Sequence, residues 1–396
     1  MVPRYGPSVV GGAENAARML AERLVSDLGW DVSVLTTCAR DSRTWADVDP
    51  PGETVENGVR VHRFASRAGR HPDFDRFSTP VLLGPPPSAE DQRKWIEMQG
   101  PVCPDVVKAA ASSQADMVAF SPYLYYPIVH GVPLVRERAV LHPAAHDEPA
   151  LRLPLLREVF ESAGALVFYT HGERELTNRT FGVGHHRQLV LGLGVDRPSF
   201  DPADRAASAR AALGLSPDEP FLVCVGRVDE SKGTGLLGRA FAAYKSRRPG
   251  PLKLVFVGQV VDRPVDHPDI MVAGMVDEDV KWGAYAAATA LVQPSPYESF
   301  SLVLIEGWLA GAPALVNAGC LATREHVSRS GGGLWFGSYA AFEAAVDRLT
   351  EAPDAARLRG GLAARGRAYA EAEFAWPVLL DRYARFISSS AMRARR

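Results

Sequence analysis

Short apolar strands that alternate with helices constrain the fold of this chain more than any other feature. An amphipathic helix begins at the glycine turn Gly11-Gly12 and ends at Gly29, and strand-like segments follow at 31–37 and 59–64. Further strands are predicted at 117–120, 138–141 and 165–169. A βαβ beginning of this kind favours a parallel sheet, because parallel strands need a crossover connection. The sequence therefore predicts an α/β fold.

A second series of the same kind predicts a second α/β domain. Its strands are expected at 221–226, 253–258, 290–293 and 314–317, beyond a glycine-rich linker at 192–194. The 396 residues are also more than one hydrophobic core usually holds. We expect a domain at 1–194, a domain at 195–373 and a C-terminal helix at 374–396. The first strand is expected to be clipped, because Val2-Pro3 leads at once into a glycine turn.

The region from Pro72 to Pro104 interrupts this rhythm. After Pro72, the region contains six more prolines, at positions 80, 85, 86, 87, 101 and 104. Because proline removes a backbone donor and clashes inside a helix, the region is predicted to be an irregular insertion with at most a short helix at 90–98.

Composition excludes several classes of function. The formal net charge of −2 gives no global attraction for nucleic acid. No apolar run reaches membrane-spanning length, and the four cysteines form no CxxC pair. We expect a cytoplasmic protein with reduced thiols. Arg63, Arg67 and Arg70 leave open a peripheral contact with anionic lipid on the inner face of a membrane, although such arginines are usually solvated.

Two glutamates, Glu298 and Glu306, stand eight positions apart around Ser299-Phe300-Ser301-Leu302. We expect both to lie on roughly one face of a helix that begins near Glu298, with free N–H groups between them for a phosphate. Capping by one acid and exposure of the other would explain each glutamate alone.

A cationic pair lies in the same half of the chain. Arg227 and Lys232 follow a buried strand, where a guanidinium fork and an ammonium could converge on a diphosphate. Two solvated surface cations are the alternative. The carboxyl ends of parallel strands collect ligands, which favours the diphosphate.

Two weaker signals lie in the first half. Gly11 and Gly12 permit close approach of a ligand to a helix N-terminus, but their spacing lacks the GxGxxG dinucleotide fingerprint. His142 and His146 invite a metal interpretation, which Pro143 between them disfavours. A polar substrate contact by His146 is the preferred hypothesis, and no metal or other cofactor is expected.

These motifs together resemble the family 4 glycosyltransferases, which are retaining enzymes of the GT-B fold. The resemblance runs from Gly11-Gly12 through His146 to the Arg227…Lys232 and Glu298…Glu306 motifs. It implies two facing Rossmann-like domains, a nucleotide sugar held mainly by the second, and a final helix, here 374–386, that crosses back to the first.

The resemblance also implies roles for individual residues. Arg227 and Lys232 would neutralise the diphosphate, Glu306 would bind the ribose, and Glu298 would face the donor sugar. Other donor contacts are implied at the backbone of Phe300 to Leu302, at the base-pairing turn with Met275 and Val276, and at Gly12. His146 would contact the transferring sugar.

The activity implied is metal-independent transfer from a UDP- or GDP-sugar to a glycan, lipid-linked or small-molecule hydroxyl. Attack would occur on the face that the leaving group departs from, so no side-chain nucleophile is expected. Another GT-B enzyme, such as an epimerase, or a non-catalytic protein that binds nucleotide sugars are the alternatives. Acceptor contacts are expected in the first domain, mainly at 72–104.

Overall fold

The computed structural model describes residues 1–9 and 11–394 as two compact α/β units. The first unit contains Met1–Gly194 together with the chain from Pro377, and the second unit is Val195–Trp376. The chain therefore leaves the first unit once, builds the second, and returns through its last helix.

Among its described residues, the first unit contains seven strands and seven α-helices before the chain leaves it. The strands are β1 (Ser33–Thr37), β2 (Gly52–Glu56), β3 (Val59–Phe64), β4 (Val118–Phe120), β5 (Ala139–Leu141), β6 (Ala165–Phe168) and β7 (Arg187–Val190). The helices are α1 (Gly12–Leu28), α2 (Phe74–Leu83), α3 (Ala89–Gln99), α4 (Pro104–Ser112), α5 (Tyr126–Val135), α6 (Leu156–Ser162) and α7 (His171–Phe181). The strands pair in the orders β1-β3-β2 and β4-β5-β6-β7, and only β2 is antiparallel to its neighbour.

The segment Met1–Pro3 connects these two sheets through backbone hydrogen bonds. On one side Val2 N–H donates to Leu35 O over 3.2 Å, and Thr37 N–H donates to Pro3 O over 3.3 Å. On the other side Ser121 N–H donates to Met1 O over 3.1 Å. Met1–Pro3 thus lies between β1 and β4 in the position of a central strand, although residues 1–9 carry no assigned strand.

The prediction of an irregular insertion at 72–104 was wrong, but the short helix expected at 90–98 is present as α3. Helices α2 and α3 occupy most of it, and α4 begins at Pro104. The prolines lie mainly between helices or at a helix start, where the missing N–H costs nothing. Ser88 caps α3 by accepting a hydrogen bond from Asp91 N–H at 3.0 Å. The apolar faces of these helices, including Phe74, Trp95 and Ile96, are buried in the core of the unit.

The second unit is a doubly wound parallel sheet. Its strands are β8 (Phe221–Val225), β9 (Lys253–Val257), β10 (Ile270–Gly274), β11 (Ala290–Gln293), β12 (Ala314–Asn317) and β13 (Gly333–Phe336). They pair in the order β10-β9-β8-β11-β12-β13. The chain therefore builds outward from β8 in one direction and then, from β11, in the other, which is the order of a Rossmann fold.

Seven helices cover this second sheet. They are α8 (Ala206–Ala212), α9 (Thr234–Arg247), α10 (Glu278–Ala287), α11 (Leu302–Ala310), α12 (Leu321–Ser330), α13 (Tyr339–Thr350) and α14 (Ala355–Phe374). The central strands β8 and β11 are buried along their whole length, as their continuous apolar sequences predict.

The last helix, α15 (Trp376–Ala394), belongs to the first unit from Pro377 onward. Tyr383 hydroxyl lies 3.1 Å from Nε2 of His142, and Arg187 Nε donates to Ser390 Oγ over 3.2 Å. Within residues 1–9 and 11–394, no helix combines the length and apolar character needed to cross a bilayer.

Helix α14 determines where α11 can lie, because the two helices pack through a glycine. The indole of Trp308 on α11 is fully buried and donates from Nε1 to Gly332 O over 2.9 Å. A Cβ atom at Gly366 of α14 would lie 2.3 Å from Cδ1 of this indole. The absence of a side chain at Gly366 is therefore a condition for the position of α11.

Gly366→Ala is expected to destabilise the protein by ~1–3 kcal/mol, because overpacking against Trp308 outweighs the gain in helix propensity. The matched control is Gly360→Ala in the same helix, where a Cβ atom would meet nothing within 4 Å. That variant should gain roughly 0.5–1 kcal/mol. Urea unfolding followed by tryptophan fluorescence measures both, and equal stabilisation by the two alanines would refute the packing argument.

Candidate functional site

The two loops that carry the predicted site in the second unit leave the sheet at its switch point. Strands β8 and β11 are neighbours, and the connections that follow them diverge in opposite directions. The loop 226–233 follows β8, and the loop 294–301 follows β11. In doubly wound sheets, ligands bind in the crevice beyond the carboxyl ends of such strands.

Asp229 organises the first loop. Its carboxylate accepts hydrogen bonds from Lys232 N–H at 2.9 Å and from Ser231 Oγ at 2.7 Å, and it pairs with the guanidinium of Arg227. Burial alone would raise the pKa of Asp229, but these hydrogen bonds hold it below the ordinary value. Arg227 is thus neutralised within its own loop, and 46% of its side chain stays exposed.

An ion pair joins the two loops. Nζ of Lys232 lies 2.7 Å from Oε1 of Glu298, and the side chains are 33% and 14% exposed. Gln293 at the end of β11 donates from Nε2 to the same carboxylate over 3.4 Å. The structure therefore brings Lys232 and Glu298 together, while Arg227 pairs with Asp229 of its own loop.

Helix α11 begins at a strained residue. Ser301, its N-cap, has φ 80° and ψ 79°, a left-handed conformation that costs a non-glycine residue ~1–3 kcal/mol. Its hydroxyl accepts from Gln293 Nε2 over 3.2 Å and makes no capping hydrogen bond. The first N–H groups of α11, from Leu302, are therefore not satisfied by this cap, which leaves a helix N-terminus suited to an anion.

Buried aromatic rings support the loop from behind. Phe300 packs edge-on against His326, with ring centroids 4.8 Å apart, and against Phe374 at 4.9 Å. Nδ1 of His326 lies 3.2 Å from the hydroxyl of Tyr369. Burial lowers the pKa of His326 to about 3, so the ring is neutral at ordinary pH. The side chain of Phe300 thus anchors the loop and is too buried to contact a ligand.

The two glutamates do not share a helix face, contrary to the sequence prediction. Glu298 lies in the loop, because α11 begins only at Leu302, and Glu306 lies on the helix itself. Glu306 accepts from the hydroxyl of Tyr285 at 3.0 Å and pairs with Lys281 at 3.4 Å. Burial lowers the pKa of Lys281, but Glu306 and Glu278 hold it above its ordinary value. The glutamates have separate sets of partners.

The remaining donor contacts predicted in the second unit lie in the connections that follow β10 and β11. Met275 and Val276 form the turn after β10, where Gly274 has φ 71° and its carbonyl accepts from Gly258 N–H over 2.8 Å. Met275 is 75% exposed. Ser299 is half-buried between Glu298 and Phe300.

In the first unit, the glycine turn rests on a buried ion pair that sequence reasoning missed. Nε of Arg4 donates to Oε1 of Glu14 over 3.0 Å. A Cβ atom at Gly11 would lie 2.1 Å from Oε2 of Glu14, whereas one at Gly12 would meet nothing within 4 Å. A side chain at Gly11 would therefore displace the carboxylate of Glu14, and Gly12 leaves the start of α1 open.

His142 and His146 have different environments. His142 is buried beside Tyr383, and burial lowers its pKa to about 3. His146 is partly exposed, with Nε2 lying 3.5 Å from Oε1 of Glu148. Within the described part of the chain, no three His, Cys, Asp or Glu side chains form a group suited to a metal ion.

The fold and these loops define a class of protein. A sheet of Rossmann order with a cation, a carboxylate and an uncapped helix N-terminus at its switch point is typical of α/β proteins that bind nucleotides.

Comparison with known proteins specifies the family. Residues 11–194 match the glycosyl transferase 4-like domain, and residues 219–352 match the glycosyl transferases group 1 family. The D-inositol 3-phosphate glycosyltransferase 2 of Catenulispora acidiphila is 31% identical over 363 residues, which cover 81% of this chain and 77% of that protein. The chain therefore belongs to the group 1, or family 4, glycosyltransferases.

Other relatives match over shorter stretches. The D-inositol 3-phosphate glycosyltransferase of Segniliparus rotundus is 32% identical over 283 residues, which cover 63% of this chain and 60% of that protein. Among solved structures, sucrose-phosphate synthase from Thermosynechococcus elongatus has a TM-score of 0.70 at 20% identity, with 98% of both chains covered. Its similarity confirms the GT-B fold, with its two Rossmann-like units.

Proposed function

We propose that this protein transfers a sugar from a nucleoside-diphosphate sugar to an acceptor hydroxyl, with retention of configuration. The observation that carries the proposal is the Lys232–Glu298 ion pair, 2.7 Å long, beside the N-terminus of α11. A cation, a carboxylate and free N–H groups within two adjacent loops match the diphosphate and the sugar hydroxyls of one donor.

The diphosphate would be bound by Lys232, Arg227 and the first N–H groups of α11. Both cations already have carboxylate partners, so a phosphate would compete with Glu298 for Lys232 and with Asp229 for Arg227. Glu298, which is held by Lys232 Nζ and more weakly by Gln293 Nε2 at 3.4 Å, would turn to the hydroxyls of the donor sugar. Asp229 would stay in place because Ser231 Oγ and Lys232 N–H still donate to it.

Glu306 would bind the ribose. An ionised carboxylate has about four acceptor sites, and Tyr285 and Lys281 occupy part of them. The remaining sites can accept hydrogen bonds from the two ribose hydroxyls. Met275 and Val276 directly follow β10, which is an edge strand of this sheet. The base would be bound there.

The chemistry requires charge stabilisation at the leaving group. As the bond to the anomeric carbon breaks, negative charge develops on the diphosphate, and preorganised donors such as Lys232, Arg227 and the α11 amides would stabilise it without a metal. The acceptor hydroxyl would attack on the same face, with the departing phosphate taking its proton. His146 would contact the transferring sugar.

A small phosphorylated polyol is the first acceptor to test, because the curated relatives are named for D-inositol 3-phosphate. The first unit offers a suitable cation in Arg70. Among residues 1–9 and 11–394, its one carboxylate contact is at 3.5 Å to Asp75, which is 92% exposed and therefore a weak partner. A phosphate could replace it at little cost.

The decisive experiment follows release of UDP, GDP or ADP from a panel of their sugars, with D-inositol 3-phosphate or unphosphorylated inositol present. We expect release with one donor, dependent on the acceptor and faster with the phosphorylated form. Saturable nucleotide binding without turnover for any acceptor would favour a binding protein, and interconversion of the free nucleotide sugar would favour an epimerase.

The two glutamates should fail differently when changed to glutamine. Glu298→Gln frees Lys232 from its competitor, so affinity for the nucleoside diphosphate should stay equal or rise while kcat falls by roughly 100-fold. Glu306→Gln should weaken nucleotide affinity by roughly 10- to 100-fold, since each lost charged hydrogen bond costs ~1.5–3 kcal/mol.

Calorimetric titration and steady-state kinetics measure these two effects, with Glu351→Gln on the exposed end of α13 as the control. Identical defects in both variants would contradict the division of labour between the glutamates.

Turnover should not depend on a divalent metal, because the proposed charge stabilisation comes from protein groups. Activity after EDTA treatment and desalting is expected to equal that of the untreated enzyme. Complete loss with EDTA, restored by one added metal ion, would overturn this part of the proposal.

A further inference from the structure

The loop 142–149 of the first unit carries His146 and is held more tightly than its sequence suggests. Ala145 N–H donates to Oε1 of Glu173 over 2.8 Å, and Tyr123 N–H donates to Pro143 O over 3.0 Å. Ala144 lies in the left-handed region, with φ 53°. These two hydrogen bonds fix the backbone on the N-terminal side of His146.

A second carboxylate holds the imidazole itself. Oε1 of Glu148 accepts from the hydroxyl of Tyr123 at 2.7 Å and lies 3.5 Å from Nε2 of His146. Tyr123 is only 2% exposed, so its hydroxyl is a fixed donor. Glu148 N–H also donates to His146 O over 2.8 Å, which folds the loop back on itself and brings the two side chains together.

We propose that Glu148, oriented by Tyr123, is a positioning residue that fixes the ring of His146 and favours its protonated form. The proposal rests on the proposed function, in which His146 contacts the transferring sugar. A cationic imidazole with one nitrogen facing Glu148 is a stronger hydrogen-bond donor to a sugar hydroxyl than a neutral ring.

Neither Glu173 nor Asp147 substitutes for Glu148 beside His146. Burial raises the pKa of Glu173 to about 8, so this carboxyl is largely uncharged at neutral pH. Asp147 pairs with Arg152, which offsets its charge. Burial would raise the pKa of Glu148, but His146 and Tyr123 hold it below the ordinary value. Glu148 is therefore the ionised partner of His146.

The ion pair can be tested without any sugar donor. Diethyl pyrocarbonate modifies neutral imidazole, and peptide mass spectrometry reports modification of His146 as a function of pH. The midpoint in the native protein should lie about one pH unit above that in Glu148→Gln, the effect of one adjacent opposite charge. Tyr123→Phe, which removes only the hydroxyl, should lower the midpoint less. Glu158→Gln on α6 is the control and should not move it.

The positioning role is tested by kinetics on the same variants. Glu148→Gln should lower kcat by roughly tenfold or more, the scale expected when a substrate contact is misplaced, with unchanged nucleotide affinity. Glu148→Asp, which keeps the charge, should recover part of this loss.

Three results would overturn the inference. They are an unmoved midpoint in Glu148→Gln, a moved midpoint with unchanged kcat, or a loss of nucleotide affinity equal to the loss of kcat. A native protein without transferase activity would instead refute the proposed function, while the modification experiment would still decide whether the ion pair exists.

Discussion

The rest of the candidate donor site depends on the ion pair between Lys232 and Glu298. The two residues are 66 positions apart in the chain, and only the adjacency of β8 and β11 at the switch point brings their loops together. A largely buried carboxylate needs a partner, so Lys232 offsets the cost of keeping Glu298 inside the site. The same contact keeps Lys232 in place before any anion binds. Each cation of the two loops thus has a carboxylate partner, so the proposed phosphate would have to exchange one partner for another.

The strain at Ser301 has a physical explanation in the same place. The left-handed N-cap residue sets the start of α11 at Leu302, which keeps Glu298 on the loop. The aromatic packing of Phe300 against His326 and Phe374 supplies the buried area that offsets a cost of ~1–3 kcal/mol. Glycine at 301 would remove the strain but also the hydroxyl that Gln293 contacts.

Sequence reasoning located most strands and the order of the motifs, because short continuous apolar runs such as 221–225 are typical of buried strands. It failed where local signals mislead. The prolines between 72 and 104 suggested irregular structure, but their effect depends on whether each lies inside a helix or at its start. Periodicity placed Glu298 and Glu306 on one helix face, since the left-handed residue between them leaves no mark on a helical pattern. Strand β2 was also missed, because it is polar and exposed and its residues do not alternate between buried and exposed positions.

The residues that sequence reasoning missed share one physical role. Glu14, Glu173 and Asp229 are buried carboxylates, each next to a loop that carries a predicted site residue. Each accepts hydrogen bonds from backbone N–H groups or from an arginine, as Asp229 does from Lys232 N–H and Glu173 from Ala145 N–H. A sequence shows only an acid near a motif, and such an acid suggests catalysis or solvent exposure. Only the fold shows that it faces inward and serves the backbone. The loops are therefore held by carboxyl groups that need not touch a substrate, and these groups are separate from Glu298, Glu306 and His146, for which substrate contacts are proposed.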